Sequence, residues 1–250
     1  MIMRNKPKTN IMLKKALLLL ITTAFAVIPV TAQDADEILE RYFEQSGQEN
    51  LSKVNTVTTI GKIDQMGMIM PFKTISKRPN KGYMEFEVEG MLMKMAFDGE
   101  RGWMVMPMTG SDAPVDLTGP DLEQIKEIGE IDSPLWNWKQ KGHTLEYAGS
   151  EEMEGTPVHV LKLTTDKGDI MNFYIDSKNS VMLKTSRSVM VNGQKVDAES
   201  IMSDYREIGG VIQPFKIVSN AGGTTTTITM EEIRFDDNID DAFFSKPVPE

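Results

Sequence analysis

Apolar and polar residues alternate with a period of two along most of this chain, the signature of half-buried β-strands. From Tyr83 to Glu89, Met84, Phe86 and Val88 alternate with Glu85, Glu87 and Glu89. From Met66 to Lys77, Met66, Met68, Met70 and Phe72 fall on one face, with Lys73 and Lys77 on the other. Such strands belong to an antiparallel sheet with one wet side. Methionine occupies every second position in three places: Met66-Met68-Met70, Met91-Met93-Met95 and Met104-Met106-Met108. On a strand each triplet shares a face; on a helix it would scatter around the cylinder. Glu89-Gly90 reads as a two-residue turn that pairs Val88 with Met91, Phe86 with Met93 and Met84 with Met95. Asp98-Gly99 is a second hairpin signal, and a two-residue turn there pairs Met95 with Gly102, Met93 with Met104 and Met91 with Met106.

Helical spacing occurs near the start. Ile38, Leu39, Tyr42 and Phe43 recur at i, i+1, i+4 and i+5 within Asp34 to Ser46, Asp34 or Asp36 can cap it, and Gly47 can end it. Thr109 to Thr118 reads as a loop rich in Gly, Ser, Asp and Pro. Pro120 with Leu122, Ile125 and Ile128 predicts a short amphipathic helix, and Ser133-Pro134 opens another carrying Leu135, Trp136 and Trp138. This insertion follows the methionine-rich hairpin and suits a lid or the cap of an open barrel end. Strands resume over 143–149, 157–165, 169–176, 181–191, 195–205, 211–219 and 224–235, with turns at Asp166-Lys167-Gly168, Asn192-Gly193, Gly209-Gly210 and Gly222-Gly223. The expected fold is mainly β (α+β): a single half-open antiparallel β-barrel or strongly curved sheet of about 11–12 strands, with an N-terminal helix and a helical lid insertion.

The first 32 residues read as a signal peptide. Arg4, Lys6, Lys8, Lys14 and Lys15 precede an apolar stretch from Ala16 to Val30, and Val30-Thr31-Ala32 fits a cleavage site before Gln33. Residues 33–250 then form one domain, exported to the periplasm. Losing five basic residues moves the formal charge from −10 to −15, which speaks against nucleic acid as a partner and for solubility. The chain has no cysteine. Acylation at a lipobox cysteine and disulfide bonding are therefore both excluded, and stability rests on the core.

Little in the sequence resembles catalytic machinery. His143 and His159 have no nearby histidine or cysteine, and no nucleophile elbow, zinc-binding helix or phosphate loop is present. No enzyme activity and no cofactor are expected. A face of flexible, polarizable thioethers instead suits an irregular apolar ligand. Met66, Met68, Met70, Met84, Phe86, Met91, Met93, Met95, Met104 and Met106 are the candidate ligand-binding residues. The same soft sulfurs could hold Cu(I), with Trp103 beside Met104 as a cap, so a copper-binding protein is one alternative. An exported structural or interaction domain, its methionines simply core, is another.

Several segments together resemble a known family. They are Asp36-Glu37-Ile38 through Gly47 into Val57-Thr58-Thr59-Ile60-Gly61-Lys62; Phe97-Asp98-Gly99-Glu100-Arg101-Gly102-Trp103 with Pro107-Met108-Thr109-Gly110; Tyr174-Ile175-Asp176; Ser203-Asp204-Tyr205-Arg206-Glu207; and Ile212-Gln213-Pro214-Phe215. In this order they resemble the outer-membrane lipoprotein-sorting proteins of the Lol-type (LolA/LolB-like) periplasmic carrier superfamily, in its Bacteroidetes-type form. The resemblance implies a half-open barrel closed by helices over an apolar cavity. It also implies lipid or acylated lipoprotein as cargo, and inner- and outer-membrane proteins as candidate partners. No gating residue of the family maps onto this chain.

Overall fold

The computed structural model describes residues 32–191 and 194–247. Residues 1–31, 192–193 and 248–250 lie outside them, so the expected signal peptide and the expected Asn192-Gly193 turn fall outside the described residues. Among the described residues no helix is long and apolar enough to cross a membrane.

Two meanders make the sheet. The first runs through β1 (Thr56–Gln65), β2 (Met68–Lys77), β3 (Lys81–Val88), β4 (Met91–Phe97), β5 (Gly102–Met106) and β6 (Ser111–Asp116). The second runs through β7 (Thr144–Met153), β8 (Thr156–Thr164), β9 (Ile170–Asp176), β10 (Met182–Val191), β11 (Gln194–Ile208), β12 (Val211–Ala221) and β13 (Thr224–Phe235). β1 pairs with β13, joining both meanders into one 13-stranded antiparallel sheet whose edges, β6 and β7, stay unpaired with each other. Helix α1 (Ala32–Ser46) and the single-turn α2 (Gln48–Leu51) precede the sheet. Helix α3 (Gly119–Gly129) and a run of turns carry the chain from the β6 edge to the β7 edge.

The sheet curls. α3 packs on β2 to β5, yet Glu127 of α3 accepts both Arg187 guanidinium hydrogen bonds from β10, at 3.1 and 3.2 Å. Four strands separate β2 from β10. On a flat sheet that is about 24 Å at ~4.8 Å per strand, far beyond the reach of two side chains. The concave side therefore closes partly on itself, as a half-open barrel does.

Local chemistry accounts for most turns. Glu89 and Gly90 both have positive φ, 51° and 78°, the conformation that matches strand twist in a two-residue hairpin. The pairs Val88–Met91, Phe86–Met93 and Met84–Met95 follow. The next hairpin differs from expectation. Asp98 Oδ1 accepts the N–H groups of Glu100 and Arg101 at 2.9 and 2.8 Å, so the connection takes four residues rather than two. Phe97 then faces Gly102 and Met95 faces Met104. The register moves by two, which preserves each residue's face but replaces the expected Met93–Met104 pair.

Other differences have physical causes. Residues 111–116, read as loop, form edge strand β6; Pro114 is tolerated there because an edge leaves one side of the backbone unpaired. This strand brings the count to thirteen. Residues 134–142 form turns rather than a helix, and Asn137, at φ 55°, interrupts any helical run. Met66 leaves the strand: it takes φ 56° in the β1–β2 turn and is 89% exposed.

The core has two sides. On the concave side α1 lays Ala35 and Leu39 against Leu145, Leu161, Leu163, Phe173 and Ile175. α3 covers Phe97, Met84, Met95 and Met104 with Leu122, Ile125 and Ile128. On the convex side a C-terminal strap closes over Ile75, Tyr83, Ala96 and Trp103. Its Phe244 is fully buried, and Phe244 O accepts the Trp103 indole N–H at 2.8 Å.

Candidate functional site

A cavity of about 300 Å³ lies under the α1–α2 junction, against β9 to β12. α1 contributes Tyr42 and Ser46, and α2 contributes Gln48 and Leu51. Gly47 makes this junction possible: it has φ 71°, and a Cβ there would lie 2.0 Å from Gly210 O. Only glycine allows both the left-handed turn and that approach. Asn50 Nδ2 adds a hydrogen bond to the same carbonyl at 3.0 Å.

Ile131, Ser133 and Pro134 form another wall. Asp132, between them, anchors that segment. It accepts Arg78 Nη1 and Nη2 at 2.6 and 2.9 Å and Gln48 Nε2 at 3.0 Å. Arg78 also donates to Val54 O and Leu51 O at 2.7 and 3.1 Å. This network ties the β2–β3 turn, the end of α2 and the crossing segment together beside the cavity. The Asp132 hydrogen bond is foremost in holding the guanidinium above its ordinary pKa.

The sheet supplies Met171, Phe173, Met182, Thr185, Met202, Tyr205, Ile212, Gln213 and Pro214. No lining residue carries a charge. The volume is at the small end for ligand pockets. It suits roughly ten methylenes, taking each as comparable to the ~30 Å³ share of a liquid water. Two phenols stand in this wall. Burial lifts the Tyr42 phenol to about 12. Burial first, and nearby Tyr42 second, push the Tyr205 phenol above its ordinary value. The Tyr205 hydroxyl is shielded from solvent and has no hydrogen-bond partner.

None of the ten residues singled out from sequence lines this cavity. Met84, Met95 and Met104 stand in a cross-strand row beneath α3. Phe86 pairs with Met93, which is buried, and with Phe72. Met91 borders an open groove with Trp103, Val105 and Phe243, and Met106 lies past a bulge opposite Ser111. Met68 is half exposed beside the exposed Met66 turn. Met70 links the two halves. It pairs with Ile63, which pairs with Ile228, then Ile217, then cavity-lining Met202. All five side chains in this row are partly exposed, so an apolar stripe joins the methionine half to the cavity.

The copper arrangement is not formed around Trp103. Neighbours in a strand face opposite ways, and the Trp103 indole is committed to the C-terminal strap on the convex side while Met104 faces α3. Among the described residues no group of three or more His or carboxylate side chains gathers where a metal could sit.

Tyr205 escaped the sequence reading for a local reason. Strict alternation from Met202 sends it outward, but Asp204 takes φ 54° and breaks the alternation. Met171 and Met202 stand singly in their strands, and Met182 is eight residues from Met190, so none carries the triplet repeat.

Comparison with solved structures places this architecture. A LolA superfamily protein from Nitrosomonas europaea matches over 85% of this chain and 97% of its own, with TM-score 0.57 and 17% identity. An outer-membrane lipoprotein-sorting protein domain from Vibrio parahaemolyticus matches over 85% and 97%, with TM-score 0.57 and 16% identity. The fold is the LolA-superfamily fold. A DUF1329 family protein from Desulfovibrio piger shares it, over 83% and 97% of the two chains at TM-score 0.57 and 15% identity. A family model described as an uncharacterized protein matches residues 137–248, a range that contains the whole second meander. No curated protein sequence matches the chain.

Proposed function

We propose that this chain is a soluble periplasmic carrier that binds lipid acyl chains, with acylated lipoproteins as cargo, for sorting to the outer membrane. The observation that carries the reading is the charge-free apolar cavity inside a LolA-type fold. The signal-like N-terminus and the acidic composition support an exported, soluble role.

Burying roughly ten methylenes gains about 8 kcal/mol at ~0.8 kcal/mol each. Association costs at least ~4 kcal/mol, so the cavity alone gives a Kd of about 1 mM or weaker. Such binding exchanges readily, as a carrier requires. A longer chain would continue along the Met202–Ile217–Ile228–Ile63–Met70 stripe. Met66, Met68, Met84, Phe86, Met91, Met93, Met95, Met104 and Met106 form the second half of the proposed site. The members beneath α3 would meet cargo when that helix moves aside. Inner- and outer-membrane proteins would load and unload the carrier.

Native mass spectrometry of the protein purified from its periplasm tests this. The wild type is expected to carry a phospholipid or acylated peptide, released by lipid extraction. Met202→Trp fills the cavity and should abolish the adduct in a folded protein. An adduct that survives Met202→Trp would remove the cavity from the proposal, and a wild type free of lipid would remove the carrier role.

A further inference from the structure

The concave wall changes from apolar to charged at one edge of the cavity. Arg187 on β10 pairs with Met171 on β9 and lies two residues from Thr185, and both of these line the cavity. Residues two apart share a strand face at a spacing of about 7 Å, so the Arg187 side chain leaves the sheet beside the cavity. Ala198 and then Ala221 continue its row across β11 and β12, and their small side chains leave that stretch of the concavity open. The charged residues of β11 around Ala198, which are Lys195, Asp197 and Glu199, alternate onto the convex face. Arg187 is thus the one charge in the row Met171–Arg187–Ala198–Ala221. Its guanidinium reaches across the concavity to α3 and donates from both terminal nitrogens to the two Glu127 carboxylate oxygens, at 3.2 and 3.1 Å. The two side chains are 44% and 60% exposed, so the pair is weak and open to exchange. Ile131 and Ser133, which wall the cavity, follow Glu127 in the chain. A carboxylate held in this way shows where the guanidinium is aimed: over the edge of the cavity, at an anion.

We infer that Arg187 is the headgroup site of the carrier: an acyl chain enters the cavity, and its carboxylate or phosphate headgroup takes the place of Glu127 on the guanidinium. The inference rests on the carrier reading and adds the ligand class, an anionic acyl amphiphile. The tail keeps to the charge-free lining, where an unpaired anion would be strongly disfavoured. The headgroup stays at the half-exposed edge, where Arg187 offers paired N–H donors that fit either oxyanion. Glu127 holds the guanidinium extended in the absence of ligand and competes with the ligand for it. The two partners of one ion pair therefore act on binding with opposite signs.

Three ligands of equal chain length test it: decanoate, decyl phosphate and the neutral N-decanoyl-N-methylglucamine. Each is titrated below its micelle concentration at pH 7.4, and binding to the mature protein is read by displacement of a fluorescent apolar probe. Wild type is expected to bind both anions more tightly than the neutral ligand. Glu127→Gln should strengthen both anions about fivefold, the upper range for an exposed ion pair, and leave the neutral ligand unchanged. Glu123→Gln, one turn away on α3, should change none of the three. Arg187→Gln should remove the anion preference, and Glu127→Gln should have no effect in that background. A pair that only held α3 in place would shift all three ligands in the same direction in both single variants. That result, or an unchanged anion affinity in Glu127→Gln, would overturn the headgroup assignment while sparing the apolar cavity. Displacement of decanoate by an equal concentration of inorganic phosphate would overturn it too, by marking a site for free anions. Failure of wild type to bind any of the three would overturn the acyl-chain reading itself.

Discussion

Asp176, at the end of β9, shows how one side chain holds a turn that borders the site. Its Oδ1 accepts the N–H groups of Lys178 and Asn179 at 2.7 and 2.9 Å, and its Oδ2 accepts Asn179 Nδ2 at 3.0 Å. Burial works against the charge, but these hydrogen bonds outweigh it and hold the carboxyl below the usual aspartate value. A depressed carboxylate contributes its stability above its unfolded pKa, about pH 4, and loses it as pH falls through the folded value. Asp176→Asn is therefore expected to cost about 1–2 kcal/mol at pH 7 and progressively less below about pH 4. Urea unfolding at both pH values checks this, and an equal cost at each would contradict it. Asp176 was read in the sequence as the last residue of a strand. Its role was not legible, because the partners of a carboxylate depend on how the turn closes.

At the scale of elements, the C-terminal strap matters as much as any strand. Its turn Asp241–Phe244 is capped by Asp240, whose Oδ1 accepts the Ala242 N–H at 2.8 Å. Asp241 bridges Lys77 and Lys81 at 2.6 and 3.1 Å, while Phe244 fills the convex core. The ion pairs are partly solvated and contribute little; the buried ring carries the strap. Phe244→Ala is expected to destabilise the protein by about 3–5 kcal/mol, measured as a fall in unfolding free energy, whereas Asp241→Ala should cost less than about 1 kcal/mol. The strap was not legible in the sequence, since Phe243 and Phe244 fall in no periodic segment. The helix over residues 32–46, by contrast, could be read from its own apolar stripe. The Glu89-Gly90 hairpin was equally legible, its register set by two adjacent residues that accept positive φ.

Across the whole molecule, α3 spans from the first meander to β10, and the Glu127–Arg187 pair is its exposed contact with the far wall. Glu127→Arg should change global stability by less than about 1 kcal/mol, as expected for an exposed pair, yet raise hydrogen exchange in α3 while the core strands stay protected. Unchanged exchange would show that the helix is held by its packing alone. That packing is close: Gly82 and Gly129 bring β3 and the end of α3 together, where a Cβ on either would come within 2.7 Å of backbone oxygen. Alternation, turn residues and the first amphipathic helix were enough to specify a curved antiparallel sheet with an apolar face, because strand faces and short turns depend on neighbours in sequence. They also placed every methionine triplet on strands, apart from Met66 and Met108 at their ends. The position of the cavity depended on contacts far apart in the chain. The β1–β13 pairing, the Gly47–Gly210 approach and the Arg78–Asp132 anchor together bring α1, α2 and residues 131–134 over β9 to β12. Which stretch of an apolar face is filled by a helix and which is left hollow is decided by that assembly, and no local pattern encodes it.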